Sequence, residues 1–351
     1  MININSKYFD NQDLFFKYAI NTNSSYLIFT TPSTTINLED FNKNNIHIHG
    51  AIFSHVIFKN EAYEKGLISI EIKDELSLEF IENVKDYEFD NNKFMEAKSI
   101  VTIFNGFCEY NQQFFMKLFE NIDLDTNILG GGAGIIKDKS KKVFFNNEGF
   151  FLDSAILLSL NKKINISSKH GWESLSGPYI VTSSHNNVLK TIDYIDAFEV
   201  YKNIIKKDCD IDINEDNFLE ISKNYPIGIV RYSRDDIVRD PISFENGKLI
   251  LVTEVKVNSI INILKGNKIN LINAAKEAAI EALGKNCNFA LVFNCITRKN
   301  FLEENFKEEL DAIYSEANSS NMIGALTIGE IANNGNININ LLNKSCVIGG
   351  A

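Results

Sequence analysis

One pattern recurs three times along this chain and limits what it can fold into: a strand, a helix-length spacer, a glycine-bearing turn and another strand. The first copy reads Tyr26-Leu27-Ile28-Phe29-Thr30, then Gly50 to Ile57, then Gly66 to Ile72. The second reads Ile100 to Phe104, then Gly130-Gly131-Gly132-Ala133-Gly134, then Ser154 to Leu160. The third reads Phe289 to Phe293, then Gly324 to Ile331, then Asn336 to Leu342. Self-similarity on this scale points to one fold unit used repeatedly. Glycines placed just after buried strands let the backbone approach a ligand closely or take positive φ. Three such turns can therefore converge on one pocket.

Strands alternating with helical spacers predict a mixed α/β (α+β) fold with sizeable sheets. The second spacer, Asn111 to Glu120, carries Phe114, Phe115, Leu118 and Phe119 at helical spacing. Further strands are predicted at 165–172 and 179–182, and helices at 193–207 and 269–283, the last stopped by Gly284. Asn246-Gly247 marks a tight hairpin. At 351 residues the chain exceeds one typical domain. The polar run 206–216 is the natural joint. This gives an N-terminal extension over 1–24, a first domain over 25–216 and a second over 217–351.

A formal net charge of −11 opposes nucleic acid and anionic membranes as partners. Five scattered cysteines with no CxxC pair suit reduced thiols and a cytoplasmic location. The start of the chain lacks a signal-peptide pattern, and no apolar run approaches the roughly 18 residues that would span a bilayer.

The basic residues are uneven. Arg231, Arg234, Arg239 and Arg298 are the only arginines, all in the second domain. A planar guanidinium fork recognises carboxylates in a way lysine does not. Arg239 and Arg298 are thus candidates to bind a small carboxylate, with structural ion pairs to Asp240 or Glu330 as the competing account. The Gly130–Gly134 run is neither GxGxxG before a helix nor a P-loop. Gly131 and Gly132 line either a ligand or a structural turn. Glu330, after Gly329, has the chemistry of a general base but no nucleophile beside it in sequence. No GxSxG, HExxH or zinc-ligand spacing is present, so neither catalysis nor a metal is expected.

The ordered set Gly130–Gly134, His170-Gly171-Trp172, Pro178, Val181-Thr182, Tyr225-Pro226-Ile227-Gly228, Val238-Arg239-Asp240-Pro241, Asn246-Gly247, Phe293-Asn294-Cys295, Arg298 and Gly329-Glu330-Ile331 resembles the FIST family of bacterial sensory proteins. The resemblance covers about 25–345. It implies a paired N-terminal and C-terminal FIST architecture acting as a signal-input module. It also implies a small ligand such as an amino acid, and a partner such as a histidine kinase, a chemoreceptor or a cyclic-di-GMP enzyme. One stand-alone subgroup resembles haem proteins that sense nitric oxide. No cofactor is expected, but haem stays open, with His170 and His55 as axial candidates. Two departures stand out. Ile135 replaces an acidic residue after the glycine run, and His55-Val56-Ile57 stands where the family has Gly-Glu-Ile. The ligand set implied is Gly131, Gly132, His170, Trp172, Arg239, Arg298, Gly329 and Glu330. Three functions remain open: a receptor for a small carboxylate, a haem-based gas sensor, and an enzyme of unknown reaction.

Overall fold

A computed structural model describes residues 4–22, 24–73, 76–90, 93–232, 235–284, 287–317, 321–334, 339 and 341–351. It resolves the recurring pattern into three copies of a longer unit. The first copy runs β1 (Ser6–Phe9), α1 (Gln12–Ala19), β2 (Ser25–Thr30), α2 (Leu38–Lys43), β3 (Ile48–Ile52), a hairpin of β4 (Val56–Phe58) and β5 (Glu61–Tyr63), and β6 (Leu67–Ile72). The second runs β7 (Leu76–Ile81), β8 (Ser99–Asn105), α3 (Asn111–Glu120), β9 (Asn127–Ala133), a hairpin of β10 (Phe144–Asn146) and β11 (Gly149–Phe151), and β12 (Ala155–Leu160).

The third copy opens with β13 (Asn165–Lys169) and is then interrupted. The interruption holds β14 (Glu173–His185), β15 (Val188–Ile192), β16 (Ile195–Asp196), α4 (Ala197–Cys209), α5 (Phe218–Ser222), β17 (Ile227–Ile229), β18 (Ile237–Arg239), β19 (Pro241–Glu245), β20 (Lys248–Leu251) and β21 (Ile260–Lys265). The copy resumes with α6 (Lys268–Leu283), β22 (Phe289–Cys295), α7 (Ile296–Leu302), α8 (Phe306–Glu316), β23 (Asn321–Thr327), a hairpin of β24 (Glu330–Asn334) and β25 (Leu341–Leu342), and β26 (Cys346–Gly350). The residues before 25 are thus the first strand and helix of a repeat rather than an extension. The third copy ends on 346–350. The strand read at 336–342 falls largely outside the described residues, and its last two positions belong to the hairpin.

Each repeat builds the same sheet and then lends its hairpin away. The orders are β1-β6-β2-β3-β10-β11, β7-β12-β8-β9-β24-β25 and β13-β26-β22-β23-β4-β5. In every sheet the long first strand pairs parallel with the second (β2 with β3, β8 with β9, β22 with β23) and antiparallel with the last. The open side of the second strand is closed by a hairpin from another repeat: β10 on β3, β24 on β9, β4 on β23. The exchange runs in a cycle and leaves no repeat complete by itself.

Register shows how far the equivalence goes. Gly50 lies opposite Ile28, Gly130 opposite Thr102 and Gly324 opposite Val292. The glycines therefore sit inside the second strands, not in turns. A Cβ on Gly130 would lie 1.9 Å from the Thr102 carbonyl oxygen, and one on Gly324 1.8 Å from that of Val292. On Gly50 the first obstacle is the Phe145 ring, at 2.2 Å. These positions are glycine because the neighbouring strand, or a ring from the borrowed hairpin, occupies the space of a side chain.

The inner faces of the three sheets meet in one apolar core containing Phe29, Ile103 and Phe293, with Phe29 and Phe293 centroids 6.3 Å apart. Helices cover the outer faces: Phe15 of α1 packs edge-on to Tyr26, and Phe115 of α3 edge-on to Phe104. The interrupting segment is an antiparallel sheet of order β18-β17-β21-β14-β15-β20-β19, with β16 on β15. It has its own core of Val181, Leu189, Tyr201, Ile227 and Ile263. Asn246 and Gly247 take φ of 48° and 77° and join β19 to β20, as the dipeptide predicts. The sheets do not divide at residue 216, a position that falls inside this inserted unit.

Gly130→Ala and Gly324→Ala should each destabilise the protein by about 3 kcal/mol, because the added methyl meets backbone that cannot yield. Gly149→Ala, with nothing within 4 Å of the added methyl, should leave stability nearly unchanged. Urea unfolding of the three variants checks this. Equal midpoints would remove the crowding account.

Candidate functional site

Arg298 follows β22 in the first turn of α7 and is fully buried. Its Nη2 is 2.5 Å from Glu309 Oε2, and its Nε donates to Glu309 Oε1 at 3.3 Å. Nη1 donates to the carbonyls of His170 and Lys344, and Nη2 also to that of Leu271. A guanidinium has five N–H groups, and all are taken by protein. The expected ligand anchor instead holds a protein carboxylate and ties the start of the inserted unit to the third repeat. Arg239 is also buried. Its Nε donates to the Glu254 carbonyl, and its Nη1 to those of Val238 and Leu341. Arg231 is half-buried and donates to the Asp235 carbonyl; Arg234 lies outside the described residues.

His170, Gly171 and Trp172 form the first crossing from the third repeat into the inserted unit. The Trp172 N–H donates to His170 Nδ1 at 2.9 Å, so the ring proton resides on Nε2, a buried atom with no hydrogen-bond partner among the described residues. Burial pushes the His170 pKa down to about 4. Gly171 has φ of 76° and abuts the Asn270 carbonyl, which excludes a side chain. The Trp172 ring lies 4.8 Å from Phe301, and Lys344 Nζ sits 4.7 Å from the Trp172 centroid. Lys344 is itself buried, 3.2 Å from Asp240 and bonded to the Lys223 carbonyl. His55, between β3 and β4, is held at Nε2 by Glu64 at 3.0 Å. Both histidines are 8% exposed; Nε2 of His55 is engaged by Glu64, whereas Nε2 of His170 is left without a protein partner among the described residues.

The structure does bring Gly131, Gly132, Gly329 and Glu330 together, but as neighbours in a filled interior. Glu330 pairs with Gly131 across the β24–β9 junction, and the Gly132 N–H donates to the Gly329 carbonyl at 2.8 Å. Cβ atoms on Gly131 and Gly132 would strike Thr327 and the Ile328 carbonyl. Gly329 takes φ of 82° at the turn into the hairpin. Register makes Glu330 equivalent to Phe144 and Val56, the first residues of the other two exchanged hairpins. Two of the three are apolar and one is a carboxyl. It accepts from Thr327 Oγ1 at 2.8 Å and from the Ser345 N–H at 3.3 Å. Burial pushes its pKa up to about 8.

Open space lies elsewhere. A cleft of about 610 Å³ opens where the inserted unit meets the third repeat. Cys209, Ile211, Ile221 and Phe301 give it an apolar lining; Glu220, Asn224, Tyr225, Gly266 and Asn267 add polar groups; Lys265 and Lys268 add positive charge. Asn267 caps α6, its Oδ1 accepting from the N–H groups of Ile269 and Asn270. Lys265 is 2.8 Å from Asp208, whose carboxylate also accepts from Tyr225 Oη at 2.6 Å. These two bonds hold the Asp208 pKa below its usual value. Lys268 reaches Glu303 at 3.1 Å. Phe301 lines the cleft and backs onto Trp172, so the buried His170–Trp172–Lys344–Arg298 cluster lies beneath it.

Family models match the chain in two stretches, an FIST N domain over residues 32–195 and an FIST C domain over 197–333. The chain belongs to the FIST family. FIST domains are sensory domains of signal transduction rather than catalytic ones. No curated protein matches the sequence. The boundary between the two FIST matches falls at the entry to α4, inside the inserted unit. Three of the four sheets take strands from both sides of it. Among the described residues of this FIST protein no helix is long and apolar enough to cross a membrane, and no group of three His, Cys, Asp or Glu is placed to hold a metal ion.

None of the cleft's lysines was singled out in the sequence. The available signal was Asn267, a good N-cap before an alanine-rich helix, flanked by Lys265 and Lys268. Sequence alone gave no reason to join it to the 209–225 segment.

Two substitutions test the buried groups. Arg298→Ala should cost about 3–5 kcal/mol, since it leaves Glu309 buried and uncompensated; a loss under about 1 kcal/mol, within the range of an exposed pair, would contradict a buried, structural Arg298–Glu309 pair. Glu330 has an ordinary value of 4.5 and a folded value of about 8. Between these, the folded protein holds a proton that the unfolded chain has released, so stability falls as pH rises through that window. Glu330→Gln should remove this decline in thermal unfolding scans and leave the variant more stable than the parent at the alkaline end. An unchanged pH profile would show the carboxyl to be ionised when folded.

Proposed function

We propose that this FIST protein senses a small acid with an apolar body, an amino acid or a similar carboxylate, bound in the cleft between the inserted unit and the third repeat. The cleft itself carries the reading. Its volume lies in the range of small-ligand sites, and its lining mixes apolar walls with a few convergent polar groups. Lys265 and Lys268 replace the arginines as the acid-binding groups. Their present partners Asp208 and Glu303 do not preclude this, because partly exposed ion pairs are worth only about 0–1 kcal/mol and exchange readily for a ligand carboxylate. A zwitterion would find Glu220 for its ammonium group.

The cleft is also suited to signalling. One wall, from Cys209 to Tyr225, belongs to the inserted unit, and Phe301 belongs to the third repeat. A ligand that touches both favours one relative placement of the two, and differential contact is the only way binding can shift such an equilibrium. A partner such as a histidine kinase, a chemoreceptor or a cyclic-di-GMP enzyme would read that placement.

The test is a thermal-shift screen of the L-amino acids and short mono- and dicarboxylates against the full chain. At least one should raise the melting temperature in proportion to the logarithm of its concentration. Lys268→Glu should weaken that compound by about tenfold or more, the equivalent of about 1.4 kcal/mol. A screen with no hit, or a shift that survives Lys268→Glu unchanged, would overturn the assignment.

A further inference from the structure

The three repeats differ most in the connection between the second strand and the exchanged hairpin. It comprises residues 53–55 in the first repeat and 328–329 in the third, but 134–143 in the second. The fold therefore closes with two or three residues, and the extra turn in the second repeat is not needed to make the sheet. It is nevertheless a built turn. The Gly134 N–H donates to the Ile52 carbonyl and the Ile52 N–H to the Val143 carbonyl, which fixes both ends. Within it, the Asp138 N–H donates to Ile135 O and the Lys141 N–H to Asp138 O.

The charge of this turn is one-sided. Residues 137–142 read Lys-Asp-Lys-Ser-Lys-Lys, all exposed. Asp138, the single acid, accepts from Ser140 Oγ at 2.9 Å. Lys137, Lys139, Lys141 and Lys142 form no ion pair with any described residue, in contrast to the lysines of the cleft. Lys139 lies 5.4 Å from the Phe107 centroid, and Ile136 beside it is 47% exposed. A chain of net charge −11 thus presents four unpaired cations on one turn that its fold does not require.

We propose that the 134–143 turn is a docking site for a short acidic segment of a protein partner. The size of the feature selects this occupant. A nucleic acid or an anionic bilayer extends far beyond one turn of four cations and would meet a chain whose overall charge is −11. A short acidic peptide segment meets the turn alone, with Ile136 available for an apolar neighbour in that segment. Attraction of this kind steers encounter and specificity, and it weakens steeply with salt.

The experiment uses the full chain and a fluorescein-labelled decaglutamate peptide as probe, read by fluorescence anisotropy. Binding is expected at an ionic strength of about 0.02 M and should weaken by about tenfold or more at about 0.2 M, where exposed charges are screened. The fourfold variant Lys137→Ser, Lys139→Ser, Lys141→Ser, Lys142→Ser should lose binding and keep the parent melting temperature. If that variant does not fold, Lys141→Glu with Lys142→Glu should show the same loss. Absence of binding at low salt, or undiminished binding by the variants, would overturn the proposal. Oligo-dT or phosphatidylserine vesicles bound through the turn as tightly as the peptide would assign it to those polyanions instead. Concentration-dependent self-association in sedimentation runs, abolished by the variants, would assign it to a second copy of the chain.

Discussion

The structure depends on an exchange of hairpins. Each of the three sheets ends on a parallel strand, β3, β9 or β23, whose open edge is covered by a hairpin donated from another repeat. An uncovered edge of this kind is a template for unwanted pairing, and closing it in a cycle makes every repeat a condition for the next. The in-strand glycines and the shared core of Phe29, Ile103 and Phe293 follow from that closure. So does the location of the one carboxyl, Glu330, at a hairpin position that is otherwise apolar.

Into this ring the chain inserts one further sheet, between β13 and α6. Both crossings are crowded. Gly171 presses on the start of α6, and a Cβ on Gly266 would strike Trp172 and Phe301. Arg298 bridges the junction, binding the His170 carbonyl at the crossing and the Leu271 and Lys344 carbonyls of the third repeat as well as Glu309. Buried ion pairs of this kind add little net stability against an apolar alternative but are costly to break, which suits a joint whose geometry matters more than its strength. The cleft opens directly above it. Ring and inserted unit thus meet at a crowded joint with a cleft of about 610 Å³ beside it.

Much of the ring was legible in the sequence. The first strands at 26–30, 100–104 and 289–293 stand out as short apolar runs, α3 as a helical face over 111–120, and α6 by its stop at Gly284. The Gly130–Gly134 run misled, because a glycine forced by an adjacent carbonyl looks in sequence like a glycine forced by a turn. Pairings such as Glu330 with Gly131 join residues far apart in the chain, and local periodicity carries no record of them. The two FIST matches divide the chain at 195–197, before the polar run 206–216, and sheets take strands from both sides of either point. Arg298 and Arg239 stand out among the basic residues, but their donors are spent on protein acceptors contributed by segments distant in the chain. The cleft stayed hidden for the same reason: its walls come from segments that meet only once the inserted unit has folded back onto α6 and α7.

The central claim is that three repeats form one closed cooperative ring across the boundary between the two FIST matches. Native-state hydrogen exchange under increasing denaturant measures this most directly, since it reports the opening free energy of each strand separately. In a closed ring, amides of β2, β8 and β22 share a single opening free energy equal to that of global unfolding. If β22, β23 and β26 instead open together at a distinctly lower free energy while β2 and β8 stay protected, the ring is not one cooperative unit.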